Sequence, residues 1–545
     1  MFARAIIASA FCCLFTGIIA AQAPVIYTGG TVSAASLFPL GAPNYGASPG
    51  SIVSIFGTNL AISTAAATTI PLPTILNGTS VTIGGIATPL FYVGKGQINA
   101  QVPYGVTAGS QAVVVTTAAG ASASGAIPIR ATQPAIFAVN QNGMGQASVQ
   151  NAIVNGTSVS YVNNGATTAV MQGNLLIVYG TGGGALATGP ASGAACGTQQ
   201  FSGSYSATIG GVAASVQYAG CSPGFVGLDQ WNIVIPATIP AGCFLPLQVT
   251  VGGVVSNVVT VAVSAAGNCS SEITGAPSFP QGQAYATFSM GRVVYSVPGQ
   301  SGTITSSQFN GFINLLTASS TPATGGLPPA GGGCLTEIYG NSSRGSFPSV
   351  GFPTYSSATA LDAGAVTVTA PNGVISTPAV VSMGASAINA SQSANGLTIA
   401  PGNWIVTGPG GKNVGAFTAT AAASPLFTTT SLGLTGSTFS ASSPLTMTWT
   451  CPSPAAEVIV SISSGNSSNG LYGGSVCAAA CSAGTLTVPA SVLQQLPASS
   501  SGNANVYLFL YSPLTTVNFD ALTGLNVAFF SFFDAAAASN LTLTP

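Results

Sequence analysis

Short runs rich in Val, Ile and Thr recur along the chain, punctuated by Gly, Pro and Asn. SIVSIFGTNL at 51–60, VTIGG at 81–85, LFYVGKGQINAQVP at 90–103 and QAVVVTT at 111–117 each read as strands closed by turn residues. This is the pattern of strands that pack face to face in sandwiches. In LTMTWT at 445–450, Leu445, Met447 and Trp449 alternate with Thr446, Thr448 and Thr450. That period of two predicts one buried face and one wet face. FFSFF at 529–533 reads as a buried strand. Helical periodicity is not sustained anywhere, and SVLQQLP at 491–497 predicts one short turn of helix. The expected class is all-β.

The chain also repeats itself. NLLIVYGTGGGAL at 174–186 echoes SIVSIFGTNLA at 51–61, and TIGG occurs at 82–85 and again at 208–211. QINAQVP at 97–103 returns as QWNIVIP at 230–236. Gly84–Gly85 and Gly210–Gly211 suit a tight hairpin that needs positive φ. Pro103 and Pro236 end strands, where a missing N–H costs least. The ordered matches predict two superimposable sandwiches at 44–133 and 163–266, with Thr82 over Thr208 and Pro103 over Pro236. Residues 22–43 then read as an N-terminal arm and 134–162 as a connector. Residues 267–282 read as a linker, followed by further sandwich modules at 283–422 and 423–545.

Composition narrows the possible roles. Hydrophobic residues make up 47% of the 545-residue chain, but charged residues only 2%, against roughly 25% in an ordinary soluble protein. Residues 1–21 carry a basic residue, Arg4, before an apolar run and small residues. They read as a secretory signal peptide cleaved after Ala20 or Ala21. The alternative, a retained membrane anchor, is opposed by the shortness of the run, and no later segment is long and apolar enough to span a bilayer. Without Arg4, five basic residues face seven acidic ones, and there is no histidine. No basic patch exists, so nucleic acid is excluded as a partner. So weakly charged a surface favours self-association.

Eight of the ten cysteines lie beyond the leader. An even number in a secreted chain predicts disulfides. Cys243–Cys269 and Cys196–Cys221 are the candidate pairs, with closed loops worth about 3 kcal/mol each. Cys334, Cys451, Cys477 and Cys481 remain unassigned. Metal binding is the weaker alternative, because no CxxC pair or histidine supports it.

The combination of PGSIVSIFGTNLA, TIGG, QPAIF, GMGQA, VYGTG, YAGCSPGFVGLDQWNIVIP and GGVVSN resembles an IPT/TIG domain in tandem. More closely, it resembles the uncharacterised Solibacter-type domain of secreted acidobacterial proteins, over about residues 44–266. That resemblance implies a string of immunoglobulin-like β-sandwich modules and an extracellular address. It implies no chemistry. The related domain is usually C-terminal, whereas here it opens the mature chain.

Apparent motifs weaken when read in context. GTGGGALATG aligns with FGTNLA, a sandwich turn, rather than with a dinucleotide loop. GPGGKN lacks the spacing and the Ser or Thr of a phosphate loop. Without histidine there is no Ser-His-Asp or Cys-His arrangement. A two-carboxylate glycosidase would have to draw on Asp229, Glu272, Glu337, Asp362, Glu457, Asp520 and Asp534, which are scattered with no close pair in sequence. Trp231 stands where the first copy has Ile98, and Trp449 lies in an alternating strand, so both read as core rather than sugar platforms; Trp404 is the third candidate. The expectation is a non-enzymatic, cofactor-free, secreted structural or adhesive protein of the cell surface or matrix. Its expected partners are itself, other surface components or a polysaccharide. Carbohydrate binding is the alternative, and polysaccharide hydrolysis the less favoured one.

Overall fold

The computed structural model describes residues 22–269 except 187 and 240, and 281–545 except 297–302, 317–333, 341–357, 377–378, 383–385, 392–398, 424, 426–429, 453–456, 512–514 and 520–522. The leader, Glu272, Arg344 and Asp520 lie outside the described residues. The chain is all-β. Its helical turns include Ala490–Leu493 and the 3-10 turn Cys481–Ala483.

The first sandwich contains Val25–Ser33 (β1), Ile52–Thr58 (β2), Thr79–Ile83 (β3), Leu90–Val93 (β4), Gln97–Gln101 (β5), Gly109–Thr117 (β6) and Gly125–Ile129 (β7). One sheet runs β1-β2-β5-β4; the other pairs β3 with β6 and β6 with β7. Val53, Ile55, Ile83, Ile98, Val113 and Ile127 are fully buried between the sheets. Each such side chain stabilises the fold by about 1.5–3 kcal/mol. Residues 22–43, expected as an arm, instead supply β1, which pairs antiparallel with β2. Val32 in this strand is buried, and that burial holds the segment to the domain.

The second sandwich contains Val149–Asn155 (β8), Ser158–Asn163 (β9), Leu175–Thr181 (β10), Tyr205–Ile209 (β11), Val212–Cys221 (β12), Asp229–Val234 (β13), Gly242–Val251 (β14) and Val259–Val263 (β15). Its pairings β10·β13, β12·β13, β11·β14 and β14·β15 match β2·β5, β4·β5, β3·β6 and β6·β7 of the first copy. The correspondence reaches single residues. Thr82 pairs with Ala87, and Thr208 with Ala213. Gly84 and Gly85 have φ of +60° and +77°; Gly210 and Gly211 have +57° and +77°. The turns after the strands also match: Val106 N–H donates to the Pro103 carbonyl at 3.1 Å, and Ile239 N–H to Pro236 at 3.3 Å. Ser122 Oγ accepts from Val115 N–H at 3.1 Å, and Ser256 Oγ from Val249 N–H at 3.1 Å.

Residues 134–162, expected as a connector, belong to this sandwich. Ala135–Ile136 pairs with β10, and β8 and β9 form a hairpin that extends the same sheet. Val149 and Ala152 are buried and anchor it.

The C-terminal half does not divide at residue 422. Its main strands are Ala284–Ser296 (β16), Thr303–Leu316 (β17), Cys334–Gly340 (β18), Gly402–Gly408 (β19), Phe417–Ala423 (β20), Leu445–Trp449 (β21), Glu457–Asn466 (β22), Leu471–Ala480 (β23), Ala504–Tyr511 (β24) and Val527–Thr544 (β25). One 12-stranded sheet runs β18-β23-β22-β24-β25-β16-β17 and continues into shorter strands. Strand β18 falls in the expected third module but pairs with β23 of the expected fourth. Strand β25 pairs antiparallel with β24 and parallel with β16. It supplies Phe530 to a core with Phe288, Phe309, Trp404 and Phe417. It also supplies Leu541 to a second core with Met447, Trp449, Val460 and Leu508. The FFSFF segment lies in this strand, and Phe529, Phe530 and Phe532 are buried.

Two features fasten this sheet. Arg292 on β16 donates from Nε and Nη2 to the two carboxylate oxygens of Asp534 on β25, at 2.8 and 2.7 Å. Cys334 and Cys477, directly opposite in the β18–β23 register, are bonded.

Two expectations follow. The Cys334–Cys477 bond closes 143 residues, whereas the other three bonds close 25, 26 and 30. On loop entropy its removal costs about 5 kcal/mol against about 3.5 for each of the others. Urea midpoints of the four paired Cys→Ala variants should show that ranking. For the ion pair, the side-chain exposure is 25% for Arg292 and 3% for Asp534. Arg292→Ala therefore removes the bidentate partner of a buried carboxylate and should cost about 3–5 kcal/mol. Asp534→Ala leaves a guanidinium that can reach water, so its urea midpoint should fall less.

Candidate binding cleft

In β5 and β13 the inward residues are Ile98 and Trp231, both fully buried. The alternation of a strand therefore turns Gln97, Asn99, Gln230 and Asn232 outward. In each copy the Gln Nε2 donates to the Asn Oδ1 two residues on, at 2.8 Å. An aromatic ring sits across the register from each glutamine: Phe56 opposite Gln97 and Tyr179 opposite Gln230. Ser54 Oγ adds a second bond to Asn99 Oδ1 at 3.1 Å.

The two sandwiches bring the outer face of β2 and β5 opposite β8 and β10, leaving a cleft of about 1020 Å³. Phe56, Phe91, Gln97 and Asn99 line one wall, and Gln150 and Tyr179 the other. Tyr179 Oη donates to Gln150 Oε1 at 2.9 Å, and Gln150 Nε2 to Asn163 Oδ1 at 3.3 Å. The lining holds no Asp, Glu, Lys or Arg. Its polarity comes entirely from amides and hydroxyls.

Neutral hydrogen bonds hold the walls together. Thr181 Oγ1 accepts from Ile52 N–H and donates to the Gly227 carbonyl, both at 2.8 Å. Gln101 Oε1 accepts from Gly193 N–H at 2.6 Å, and its Nε2 donates to the Gly50 carbonyl at 3.3 Å. Gln101 and Thr181 are fully buried, so each bond forms away from competing water.

Beside this junction lies a carboxylate. Asp229 opens β13 beneath the glycine-rich loop that follows β10, and Gly183 N–H donates to its Oδ2 at 2.7 Å. The loop has to be glycine. Gly182 has φ of +92°, and a side chain there would run into the Gln133 carbonyl. Burial pushes the Asp229 carboxyl up to about 7, opposed by the Gly183 hydrogen bond. GTGGGAL is thus a structural turn over a buried acid, with no helix behind it.

The other singled-out residues occupy structural positions. Cys196 is bonded to Cys221 and Cys243 to Cys269; among the four left unassigned, Cys334 joins Cys477 and Cys451 joins Cys481. Trp231, Trp404 and Trp449 are all buried. Trp404 Nε1 donates to the Ala400 carbonyl at 3.0 Å, and Trp449 Nε1 to Cys481 at 2.7 Å. Asp362 caps its own turn by accepting from Gly364 N–H at 2.9 Å. Glu337 and Glu457 lie on β18 and β22, and Asp534 holds Arg292. Among the described residues, no group of three or more His, Cys, Asp or Glu could hold a metal, and no helix is long and apolar enough to cross a membrane.

No protein-family model and no curated protein matches the chain. Among solved structures it is similar to SGBP-B of the Bacteroides ovatus mixed-linkage glucan utilization locus, solved with a mixed-linkage heptasaccharide. That match has 14% identity, covers 40% of this chain and 44% of that one, and has a TM-score of 0.20. The chain thus spans less than half the length of that protein. Domains 5-6 of the S-layer protein SbsC match at 14% identity over 44% of this chain and 98% of that one, with a TM-score of 0.18. The I9-I11 tandem of titin matches at 8% identity over 69% and 92%, with a TM-score of 0.11.

Asp229 gives the junction a pH dependence with a defined sign. The unfolded chain releases this proton near 3.8 and the folded chain near 7. Between these values the folded state binds more protons, so stability falls as pH rises and levels off above the upper one. Asp229→Asn keeps an acceptor for Gly183 N–H and has nothing to ionise. Thermal melts from pH 4 to 8 should show a flatter profile for this variant and a higher Tm than the parent at pH 8.

Proposed function

We propose that the chain is a secreted, non-catalytic structural or adhesive protein of the cell surface or extracellular matrix. The four disulfides carry this reading. Bonds of this kind persist in oxidising compartments outside the cytosol. Here they staple the second N-terminal sandwich twice and the C-terminal half twice. The non-catalytic part is supported by what the buried acids do: Asp229 is tied to a backbone amide, and Asp534 to Arg292. Membership of the Solibacter-type family belongs to the same proposal. It is supported by the residue-for-residue register of the two TIGG hairpins. The weakly charged surface favours association with like copies or other surface components over repulsion.

Limited trypsinolysis and sedimentation at neutral pH test the proposal together. Lys95 and Lys412 are exposed in turns, whereas Arg292 lies within a paired strand. A few large fragments cut first at the two lysines, and species heavier than the monomer, are expected. Rapid digestion to small peptides, or a strictly monomeric protein that hydrolyses a polysaccharide, would place the chain in another class.

A further inference from the structure

We propose that the cleft between the two N-terminal sandwiches binds a chain of neutral sugars. This deepens the adhesive reading by naming a partner class, and it rests on that reading.

The chemistry of the walls selects the ligand. A phosphorylated or carboxylated ligand needs a cation to offset its desolvation, and the lining has none. A cationic ligand needs a carboxylate, which is also missing from the lining. A purely apolar ligand would cut the remaining hydrogen-bonding capacity of Gln97, Asn99 and Gln150 off from water without replacing it. A neutral polyol avoids all three penalties. Each of its hydroxyls donates and accepts, as each amide does.

The amides are already oriented. Asn99 Oδ1 accepts from both Ser54 and Gln97, which fixes the group and directs Nδ2 as the donor for a bound hydroxyl. Gln150 is held from both ends, by Tyr179 and Asn163. Such pre-orientation lowers the entropy lost on binding. Phe56, Phe91 and Tyr179 are half-buried and offer ring surface to the C–H faces of sugar rings.

The backbone argues against a peptide. Extended peptides gain affinity by adding to an open strand edge. The floor of this cleft is β2 and β5, each bonded to a strand on both sides. Only side chains are on offer there. The volume of about 1020 Å³ lies at the upper end of small-ligand pockets, roughly 300–1,000 Å³. That suits several linked rings better than one.

Titration calorimetry on the full secreted chain tests this with cellohexaose, xylohexaose and mannohexaose, and with hexagalacturonate and an uncharged hexapeptide as competing classes. At least one neutral hexasaccharide should bind and neither competing probe should. Asn99→Ala on one wall, and Ser148→Trp at a lining residue that immediately precedes β8 on the other, should each weaken binding at least tenfold with the parental melting temperature. The second variant decides if the first fails to fold. Absence of binding by all three neutral probes, tighter binding of hexagalacturonate or the peptide, or parental affinity in a folded variant would overturn the site. A trypsin-resistant, self-associating protein that binds none of the sugars would retain the scaffold function and lose this one.

Discussion

Scarcity of charge is the constraint from which most of this structure follows. With 2% charged residues, contacts between modules cannot be built from ion pairs. They rest instead on neutral groups placed where water cannot compete. Gln101 and Thr181 show the solution: each bridges two backbone groups across the junction, and both are fully buried. Net gains of this kind are about 0.5–1.5 kcal/mol per bond, but leaving such a group unpaired costs more. The penalty for mispairing therefore fixes the geometry as much as the gain does. The few charges that are buried are tied down in the same way, Asp229 by a backbone amide and Asp534 by a bidentate guanidinium.

The C-terminal half uses a different device. Its cohesion comes from β25, one strand long enough to serve two cores. Phe530 near its start and Leu541 near its end sit in separate hydrophobic clusters. The Arg292–Asp534 pair lies between them. Damage to one cluster is thereby transmitted along a shared backbone, so the two cores are coupled thermodynamically rather than being independent units.

Much of the N-terminal architecture could be read directly from the chain. The double glycines, the closing prolines and the exchange of Ile98 for Trp231 each identified a backbone requirement or a buried position. The hairpin β8–β9 was not visible because β9 has no counterpart in the first copy, where β1 alone flanks β2 as β8 flanks β10, and its exposed Val154, Val159 and Tyr161 blur the alternation. Strand β25 hid its role for another reason. Parallel pairing with β16 joins residues 242 apart, and nothing local in FFSFF specifies that partner. The cleft was half-legible: Q-x-N appears twice around a core residue, which turns four amides outward, but only Gln97 and Asn99 of these line the cleft. Which face would meet which neighbour depends on the packing of whole domains.

The parallel pairing also sets an order of events for a chain emerging end-first from a ribosome or a secretion channel. The N-terminal sandwiches are built from contiguous segments and can close as they appear. Strand β16 has no such option, because the parallel strand beside it comes last, at residues 527–544. Contacts this distant in sequence slow folding, since a long loop must be closed before it is rewarded. Until then β16 and its Phe288 and Met290 are left half-partnered, with an open edge of the kind that invites pairing with another chain. The interval between the appearance of residue 284 and residue 544 is therefore when this protein most needs protection from its own copies.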